Sequence, residues 1–416
     1  MFIFYQTILT LLLFISPIII FLRINKNKED KKRFIEKFSI PSEKRVKGKL
    51  IWFHGASVGE ILSILPLVQK YENNKDIDQI LITSSTLSSS KVFKKYRFKK
   101  TVHQFYPIDH FLFTQNFLDY WKPNLAIFID SEIWPCMFKN LKQKNISIIL
   151  LNARITKQTF NKWMKIKFFS KKIFNLIEKA YPQNLETKRY LKKLGIKKIK
   201  NIGNLKFSEN NEKNLNKFSN NLNFEFKKKK LWVASSTHNP EEIFCAQAHI
   251  ELKKKIDNLI TIVIPRHIHR VDEIIDNVKN LNLNIVRHSF RPKKLKNIDI
   301  YIVDTFGETK KFHEISSTVF LGGSIIKRGG QNPLEAARSG AKILHGPNTN
   351  NFKDIYKYLK SINISKKINT PKQIATNIVF KKNKYVSGRI KKIGKEILKK
   401  TIKELNIIIS DEIKKT

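Results

Sequence analysis

The chain has 416 residues, and its 80 Lys and Arg against 34 Asp and Glu give a formal net charge of +46. At a usual domain size of about 100–200 residues, this length predicts two or three domains. Hydrophobic residues make up 41% of the chain, which excludes a mainly disordered protein despite the charge. With only two cysteines, Cys136 and Cys245, a disulfide framework and a multi-cysteine zinc site are excluded. The basic surface indicates anionic partners, and an anionic membrane fits it as well as nucleic acid does.

The amino-terminal segment, residues 1–22, contains no charged side chain. As a helix it would be roughly 33 Å long, which matches a bilayer core of about 30 Å. Basic residues follow it: Arg23, Lys26, Lys28, Lys31, Lys32 and Arg33. By the positive-inside rule this order predicts a single-pass membrane anchor over residues 1–25, with the rest of the chain in the cytoplasm. A cleaved signal peptide is one alternative, but it would need a basic segment before the apolar run, and that segment is missing. A buried core helix of a soluble domain is the other alternative.

Beyond the anchor, short apolar runs alternate with amphipathic stretches. LIWFHGASVGE, QILITSSTLSS, LAIFIDSEIWP and SIILLNARI each predict a buried strand that runs into a loop. This alternation predicts parallel sheets with helical crossovers, and it lapses only in an Asn- and Lys-rich stretch before resuming at LWVASSTH. The expected divisions are an N-terminal domain (26–207), a linker (208–228), a C-terminal domain (229–380) and a basic helical tail (381–416).

Polar residues cluster where the predicted strands end, which is where open α/β sheets bind ligands. Two similar halves with such ends predict a cleft between domains. In HGASVGE, Glu60 falls in the first turn of the next helix, as a base facing the cleft or as a carboxylate stabilised by the helix dipole. The turn alone favours the second interpretation. In IDSEIWP, Asp130 and Glu132 end an apolar strand, and acid–base chemistry and helix capping are equally supported.

The second half contains two segments suited to a nucleotide. Arg266 leaves a buried strand in VIPRHIHR, a position suited to an anionic phosphate. In LGGSIIKRGGQNPLEAARSG, glycines free the backbone, and residues 332–335 are predicted to open a helix whose amides bind phosphate. Glu335 would there accept both hydroxyls of a ribose. The segment matches neither the P-loop pattern nor G-x-G-x-x-G, and a glycine loop kept for packing is the alternative.

No metal site is predicted. His267 and His269 lack a third ligand, and Asp76 with Asp78 precedes a strand where a ligand pair would follow one.

Taken in order along the chain, these segments resemble the 3-deoxy-D-manno-octulosonic acid (Kdo) transferases of lipopolysaccharide assembly. The resemblance runs from the anchor through about residue 355. Its segments are IWFHGASVGE, ITSSTLSS, YPID, IDSEIWP, LLNARIT, GNLKF, ASSTHNPEE, PRHIHR, DTFGE, FLGGSIIKRGGQNPLEAARSG and GPNTNNFKDI.

The resemblance implies an α/β protein of the GT-B type, with two Rossmann-like domains facing a cleft and one N-terminal transmembrane helix. It implies transfer of Kdo from CMP-Kdo to lipid IVA, the lipid A precursor, with inversion at the anomeric carbon. The N-terminal domain would bind the acceptor and the C-terminal domain the CMP-sugar, at the cytoplasmic face of the inner membrane. No cofactor, no metal and no nucleic acid partner are expected.

The resemblance also implies roles for individual residues. Glu60 matches the general base that deprotonates the acceptor hydroxyl, and Asp130 and Lys206 match transition-state stabilisers. The segments that match the CMP-binding site supply Pro265, Arg266, Phe306, Gly307, Glu308, Asn332, Pro333, Leu334 and Glu335.

Two positions depart from the family pattern. The family usually has Glu where this chain has Asp130, and commonly has His where this chain has Gln331. The alternative functions are a GT-B transferase that uses a UDP-sugar and a lipid-linked acceptor, and, more distantly, a membrane-tethered protein that binds nucleic acid without catalysis.

Overall fold

A computed structural model describes residues 1–209 and 218–414 of the chain. The chain divides into two compact units, one formed by residues 1–210 with 393–416 and the other by residues 211–392. Each unit is built on one parallel sheet, as the alternation of apolar and amphipathic segments predicts.

The first unit begins with a long apolar helix and continues as alternating strands and helices. Its strands are β1 (Leu50–His54), β2 (Gln79–Ser84), β3 (Thr101–Phe105), β4 (Leu125–Ile129), β5 (Ser147–Ala153), β6 (Lys179–Pro182) and β7 (Lys198–Ile199). Its helices are α1 (Phe2–Asn25), α2 (Val58–Tyr71), α3 (Leu87–Phe93), α4 (Phe111–Trp121), α5 (Pro135–Gln143), α6 (Lys157–Lys165), α7 (Lys167–Phe174) and α8 (Leu185–Leu194). Short 3-10 helices lie at Arg33–Phe38 and Leu205–Ser208.

Among the described residues of this unit, the sheet has seven strands in the order β3-β2-β1-β4-β5-β6-β7, all paired in parallel. Strands β1 and β4 are buried along their whole length, because helices cover both faces of a parallel sheet. Trp52 anchors the core, with its ring 4.9 Å from that of Phe117 and 5.2 Å from that of Phe128. The strand order reverses between β1 and β4, so the loops that follow these two strands flank the topological switch point.

The second unit repeats this architecture. Its strands are β8 (Lys230–Thr237), β9 (Leu259–Pro265), β10 (Ile285–Arg287), β11 (Ile300–Ile302), β12 (Thr318–Leu321), β13 (Lys342–His345) and β14 (Ser365–Lys367). Its helices are α9 (Asn220–Lys227), α10 (Glu241–Lys253), α11 (Val271–Lys279), α12 (Thr309–Ile315), α13 (Leu334–Arg338), α14 (Lys353–Ser361) and α15 (Pro371–Asn377), followed by α16 (Lys384–Lys414). Within the described part of the unit, the sheet order is β10-β11-β9-β8-β12-β13-β14, which places the switch point between β8 and β12.

The segment predicted as a linker, 208–228, is partly helical. Residues 210–217 lie outside the described residues, and α9 occupies most of the remainder. Leu222 and Phe226, one helical turn apart, are buried, and the Phe226 ring lies 5.3 Å from that of Tyr301. The apolar residues Leu222, Phe224 and Phe226 alternate with polar ones, a spacing that does not predict a helix from the sequence, and packing on the sheet stabilises it.

The carboxyl-terminal tail forms α16, and its last part, from residue 393, belongs to the first unit. Glu404 accepts hydrogen bonds from Lys179 at 2.9 Å, Lys200 at 2.5 Å and Tyr181 at 3.1 Å. These contacts attach the last part of α16 to β6 and to the residue after β7. The same helix packs on the segment that carries Lys206, since a Cβ at Gly394 would meet the Phe207 carbonyl oxygen.

Candidate active site

Glu60 lies one turn into α2, just beyond the end of β1. Its carboxylate turns back over the helix start, where it accepts hydrogen bonds from the Ser57 hydroxyl and the Ala56 amide, both at 2.7 Å. The hydroxyl of Ser57, the N-cap residue of α2, in turn accepts a hydrogen bond from the Glu60 amide at 3.4 Å. At Gly55 a Cβ would lie 3.0 Å from the Glu60 Cβ, so the turn brings the two backbones unusually close.

The pKa of Glu60 bears on its two interpretations. A carboxylate that only caps a helix is stabilised in its charged form, and its pKa falls. Burial instead raises the pKa of Glu60 to about 7, against the two hydrogen bonds, and the negative charges of Asp130 and Glu132 add to the rise. A carboxylate with a pKa near 7 combines a deprotonated fraction at neutral pH with a useful proton affinity, which suits a general base.

Asp130 and Lys206 form an ion pair at the end of β4. The Lys206 ammonium lies 3.1 Å from the Asp130 carboxylate, and the two side chains are only 12% and 7% exposed. Asp130 has a φ of +62°, a left-handed conformation that Asp tolerates better than most residues. The 3-10 helix that carries Lys206 is fixed to β5 by a 2.9 Å hydrogen bond from the Leu205 amide to the Asn152 side chain. The structure therefore brings Asp130 and Lys206 together, and places Glu60 within electrostatic reach of Asp130.

Helix capping does not explain Asp130. The amides of Cys136 and Met137, in the first turn of α5, donate to the carboxylate of Asp109 at 3.1 and 2.8 Å. Asp109 therefore caps α5, and Asp130 instead contacts Lys206.

His54 is a site residue that sequence reasoning did not assign. It ends β1 with no exposed surface, and its imidazole contacts the Thr83 hydroxyl at 2.9 Å and the Glu132 carboxylate at 3.3 Å. The Trp134 indole also donates to Glu132, at 3.0 Å. His54 therefore links the ends of β1 and β2 to the loop after β4, and its place in the HGASVGE motif is the signal that could have identified it.

In the second unit, the glycine-rich loop after β12 is held by a buried carboxylate. Glu241, which has no exposed surface, accepts hydrogen bonds from the amides of Gly323 at 2.7 Å, Ser324 at 3.0 Å and Ile325 at 2.9 Å. The glycine at 322 is needed because a Cβ there would meet the Ser236 carbonyl. Glu241 follows the end of β8, so it ties together the two loops at the switch point of this sheet.

The helix predicted to open at residue 332 begins later. Helix α13 starts at Leu334, and the side chain of Asn332 accepts the Leu334 amide hydrogen bond at 3.1 Å. Pro333 is the N-cap and has no amide hydrogen to give. Asn332 thus forms an Asx turn where the helix was expected to begin.

Glu335 is the accessible carboxylate of this loop. Its side chain is 37% exposed, and Oε1 lies 3.9 Å from Nδ1 of the buried His313. The other ring nitrogen of His313 contacts the Ser235 hydroxyl at 3.0 Å, at the end of β8. Glu335 is therefore accessible to a ligand, and the buried His313 lies beside it. No sequence pattern identified His313.

A positive patch surrounds the end of β9. Pro265 is its last residue, and the amide of the exposed Arg266 donates to the Thr237 carbonyl at 3.0 Å. Burial, together with the charges of His267, Arg328, Arg266 and Arg270, lowers the pKa of His238 to about 4. The same positive potential favours an anionic ligand.

The DTFGE loop has an exposed tip at Phe306 and an inward-facing carboxylate at Glu308. Phe306 is 81% exposed at the loop tip, and Gly307 has a φ of +83°. Glu308 points inward, where it contacts His288 at 2.5 Å, the Thr305 hydroxyl at 2.6 Å and the Lys311 ammonium. Burial raises the pKa of Glu308, but the hydrogen bonds from Lys311 and Thr305 outweigh it and the pKa is lowered. Glu308 therefore holds the loop through these contacts, and its predicted role in CMP binding stays a prediction.

Comparison with known proteins gives the family. The family model for 3-deoxy-D-manno-octulosonic-acid transferase (kdotransferase) matches residues 32–209. The 3-deoxy-D-manno-octulosonic acid transferase of Rickettsia bellii is 38% identical over 355 residues, covering 83% of this chain and 82% of its own length. The chain belongs to the Kdo transferase family. The Haemophilus influenzae transferase is 30% identical over 316 residues, covering 75% of this chain and 74% of its own length.

The fold of this Kdo transferase is also similar to solved structures. A putative UDP-N-acetylglucosamine 2-epimerase from Listeria monocytogenes matches with a TM-score of 0.55 and 10% identity, over 85% of this chain and 91% of that protein. At this identity the likeness concerns the fold alone, and it confirms the expected GT-B-type class with two Rossmann-like domains. As a Kdo transferase, the protein is a glycosyltransferase of lipopolysaccharide biosynthesis.

The two departures from the family pattern can now be placed. Asp130, although one methylene shorter than Glu, still reaches Lys206. Gln331 lies against the glycine loop, since a Cβ at Gly323 would be 3.3 Å from its amide nitrogen. No group of three His, Cys, Asp or Glu able to hold a metal ion occurs among residues 1–209 and 218–414.

Proposed function

We propose that this Kdo transferase takes Kdo from CMP-Kdo and transfers it to a hydroxyl of lipid IVA, with inversion at the anomeric carbon. The observation that carries the proposal is a carboxylate of pKa about 7, Glu60, beside the Asp130–Lys206 ion pair at the switch point of the first sheet. In this proposal the first unit binds the acceptor and the second binds the CMP-sugar.

In the reaction, Glu60 takes the proton of the acceptor hydroxyl as its oxygen bonds to the anomeric carbon. The bond from that carbon to the CMP phosphate oxygen breaks, and CMP leaves with the electron pair. A single displacement from the side opposite CMP inverts the anomeric carbon. Asp130 and Lys206 are fixed charges of opposite sign, and fixed charges stabilise developing charge without reorganising.

The nucleotide is assigned to the loops of the second unit. The potential around Pro265 and Arg266 suits the CMP phosphate, and the exposed Phe306 ring suits stacking on a base. The Glu335 carboxylate suits the two ribose hydroxyls. In this proposal Arg266 stabilises the charge on the departing phosphate, so no metal ion is required.

Membrane attachment is assigned to α1. Among the described residues it is the one helix long and apolar enough to cross a membrane, with a mean hydropathy of 2.4. The basic residues that follow it favour the cytoplasmic side of the inner membrane for the catalytic units. A lipid acceptor would then be reached from its own bilayer.

The nucleotide distinguishes this proposal from the UDP-sugar alternative. CMP at 100 times its dissociation constant stabilises the folded protein by about 2.7 kcal/mol, so the melting temperature should rise with CMP and not with UMP or UDP. Glu335→Gln should weaken the protection, whereas Glu314→Gln, on the exposed face of α12, should preserve it. Radiolabelled Kdo should then pass from freshly generated CMP-Kdo to tetra-acylated lipid A precursor. Protection by UDP alone, without transfer, would exclude CMP-Kdo as the donor.

The pH profile tests the role of Ser57. Its hydroxyl lowers the pKa of Glu60, so Ser57→Ala should raise that pKa further. A base is active when deprotonated, so the acid limb of the kcat profile should move from near pH 7 to higher pH, with activity recovered in alkali. Initial rates of Kdo transfer between pH 5 and 9 measure the shift.

Thr370→Ala is the matched control, since Thr370 caps α15 in the same way at Gln373, in the second unit. It removes a helix cap and should leave the profile in place. An unshifted profile for Ser57→Ala would show that the limb belongs to another group.

A further inference from the structure

Helix α1 is docked against the first unit along its whole length. The residues that are not fully exposed recur every three or four positions and form one stripe: Phe2, Tyr5, Gln6, Leu9, Leu13, Ser16, Ile20, Arg23 and Ile24. This spacing places them on a single helix face. A helix that merely extends from a domain into a bilayer would show such contacts only at its carboxyl-terminal end.

The contacts at the amino-terminal end of α1 are specific. The Tyr5 hydroxyl donates to the Asp109 carboxylate at 2.9 Å, and the Thr10 hydroxyl lies 3.2 Å from His110 Nε2. The Phe2 ring lies 4.2 Å from the Lys139 ammonium, and Tyr5 is 6.4 Å from Phe169 of α7. These contacts fix the first turns of the helix to the loop after β3 and to helices α5 and α7.

Asp109 makes the docking of Tyr5 part of the fold. This carboxylate is 3% exposed, and it also receives the first-turn amides of α5. Burying a carboxylate is costly unless hydrogen bonds satisfy it, and the Tyr5 hydroxyl provides the third one. Withdrawing α1 would uncover this carboxylate.

The other end of α1 is fixed to the same unit. Ile20 is buried, and Arg23 pairs at 3.1 Å with Glu29, which Lys37 also contacts at 2.6 Å. Tyr5 and Arg23 are 18 positions apart, about 27 Å along the helix axis at 1.5 Å per residue. If α1 crossed the bilayer from Arg23, Tyr5 would lie near the far headgroups, out of reach of Asp109. Docking and crossing therefore exclude each other.

The face of α1 opposite the stripe is apolar and exposed. Its most exposed side chains include Ile3 at 80%, Phe4 at 66% and Phe14 at 79%. Next to it, α7 exposes Phe168 at 75%, with the Lys172 ammonium 4.5 Å from its ring. Helices α6 and α7 also carry exposed lysines: Lys157, Lys162, Lys165, Lys167, Lys171 and Lys172.

We propose that α1 lies in the plane of an anionic phospholipid bilayer, docked to the first unit through its stripe, and does not cross the membrane. The apolar face enters the boundary between headgroups and acyl chains, and the lysines of α6 and α7 contact the headgroups. Both ends of α1 then stay on the side of the catalytic units. This arrangement differs from the spanning helix that the sequence favours, and it does not depend on the donor or acceptor.

Photocrosslinking in native inner membranes tests the docking. A benzophenone side chain replacing Tyr5 in the full chain should crosslink within the chain, to peptides around Asp109 or Phe169. The same group replacing Phe14, on the opposite face, should crosslink to phospholipid. Mass spectrometry of the digested products identifies both. Crosslinking of position 5 to lipid, or of position 14 to a second copy of the chain, would overturn the proposal.

Cysteine labelling tests the topology independently. Cys136 and Cys245 are both buried, so Ile3→Cys adds an exposed thiol in the first turn of α1, about 30 Å along the helix axis from Arg23. A membrane-impermeant maleimide added to spheroplasts should not label it. Lys26→Cys is the matched control, because it lies on the cytoplasmic side in either arrangement and is labelled in inverted vesicles alone. Labelling of Ile3→Cys in spheroplasts would establish a spanning helix.

Discussion

Replacing Glu60 with Gln should lower kcat for Kdo transfer by about 10²–10⁴-fold, the usual contribution of a general base. Gln keeps the size of the side chain and its hydrogen-bonding capacity at the helix start, but it cannot take the acceptor proton. Because the donor nucleotide is assigned to the other unit, the melting-temperature rise with CMP should be unchanged. Glu60→Ala should lose as much activity as Glu60→Gln.

Glu132→Gln is the matched control for this result. Glu132 is the neighbouring carboxylate, and its negative charge helps to raise the pKa of Glu60. Removing that charge should lower the pKa of Glu60 and move the acid limb of the kcat profile to lower pH, with less than about tenfold loss of kcat. Glu60 would not be the base if both Glu60 variants kept kcat within tenfold of the parent enzyme. The same conclusion would follow if only Glu132→Gln abolished transfer.

The fold could be predicted from the sequence because parallel strands buried on both faces read as continuous apolar runs. LIWFH and LAIFI became β1 and β4, and the polar residues after them reached the edge of the sheet where ligands bind. The neighbourhood of Glu60 and Asp130 was predictable for the same reason, since both follow strands that lie next to each other across the switch point.

The supporting residues could not be predicted, because their partners are distant in sequence. Glu241 is 82–84 residues from the loop amides it accepts, and His313 is 78 residues from Ser235. Only the strand order brings these groups together. The prediction that a helix begins at residue 332 was wrong for a local reason. The Asn332 side chain accepts the hydrogen bond of the Leu334 amide, which would otherwise be available to a ligand at the helix start.

The pKa of Glu60 was likewise outside sequence reasoning. The motif shows a carboxylate at a helix start, which alone predicts a lowered pKa. Burial, and two carboxylates on a loop about 70 residues away, instead raise the pKa. Three-dimensional structure therefore adds the burial and the neighbouring charges that the sequence does not show, and the base role of Glu60 is a prediction that the Glu60 variants test.

Replacing Lys206 with Met should reduce kcat by at least about 10²-fold, the effect of removing one fixed charge or donor from a transition state. It should also destabilise the protein by about 3–5 kcal/mol, because Asp130 is left almost fully buried without its partner. Urea unfolding and single-turnover transfer on the same preparation separate the two effects.

The double variant Asp130→Asn with Lys206→Met distinguishes a structural pair from a catalytic one. Removing both charges removes the unpaired group, so much of the lost stability should return. Activity should stay low if the charges stabilise the transition state. Asp130→Glu restores the residue usual in the family and keeps the charge, so it should retain kcat within about tenfold of the parent.

Lys179→Met provides the control for loss of an ion pair elsewhere. Lys179 contacts Glu404 at 2.9 Å on the same unit, with side chains 26% and 9% exposed. Its loss should cost stability and leave kcat unchanged, whereas Lys206→Met should lower both. If the Asp130/Lys206 double variant regained activity along with stability, the pair would act through the fold alone, and the charge at the reacting carbon would have to be stabilised by other groups of the enzyme.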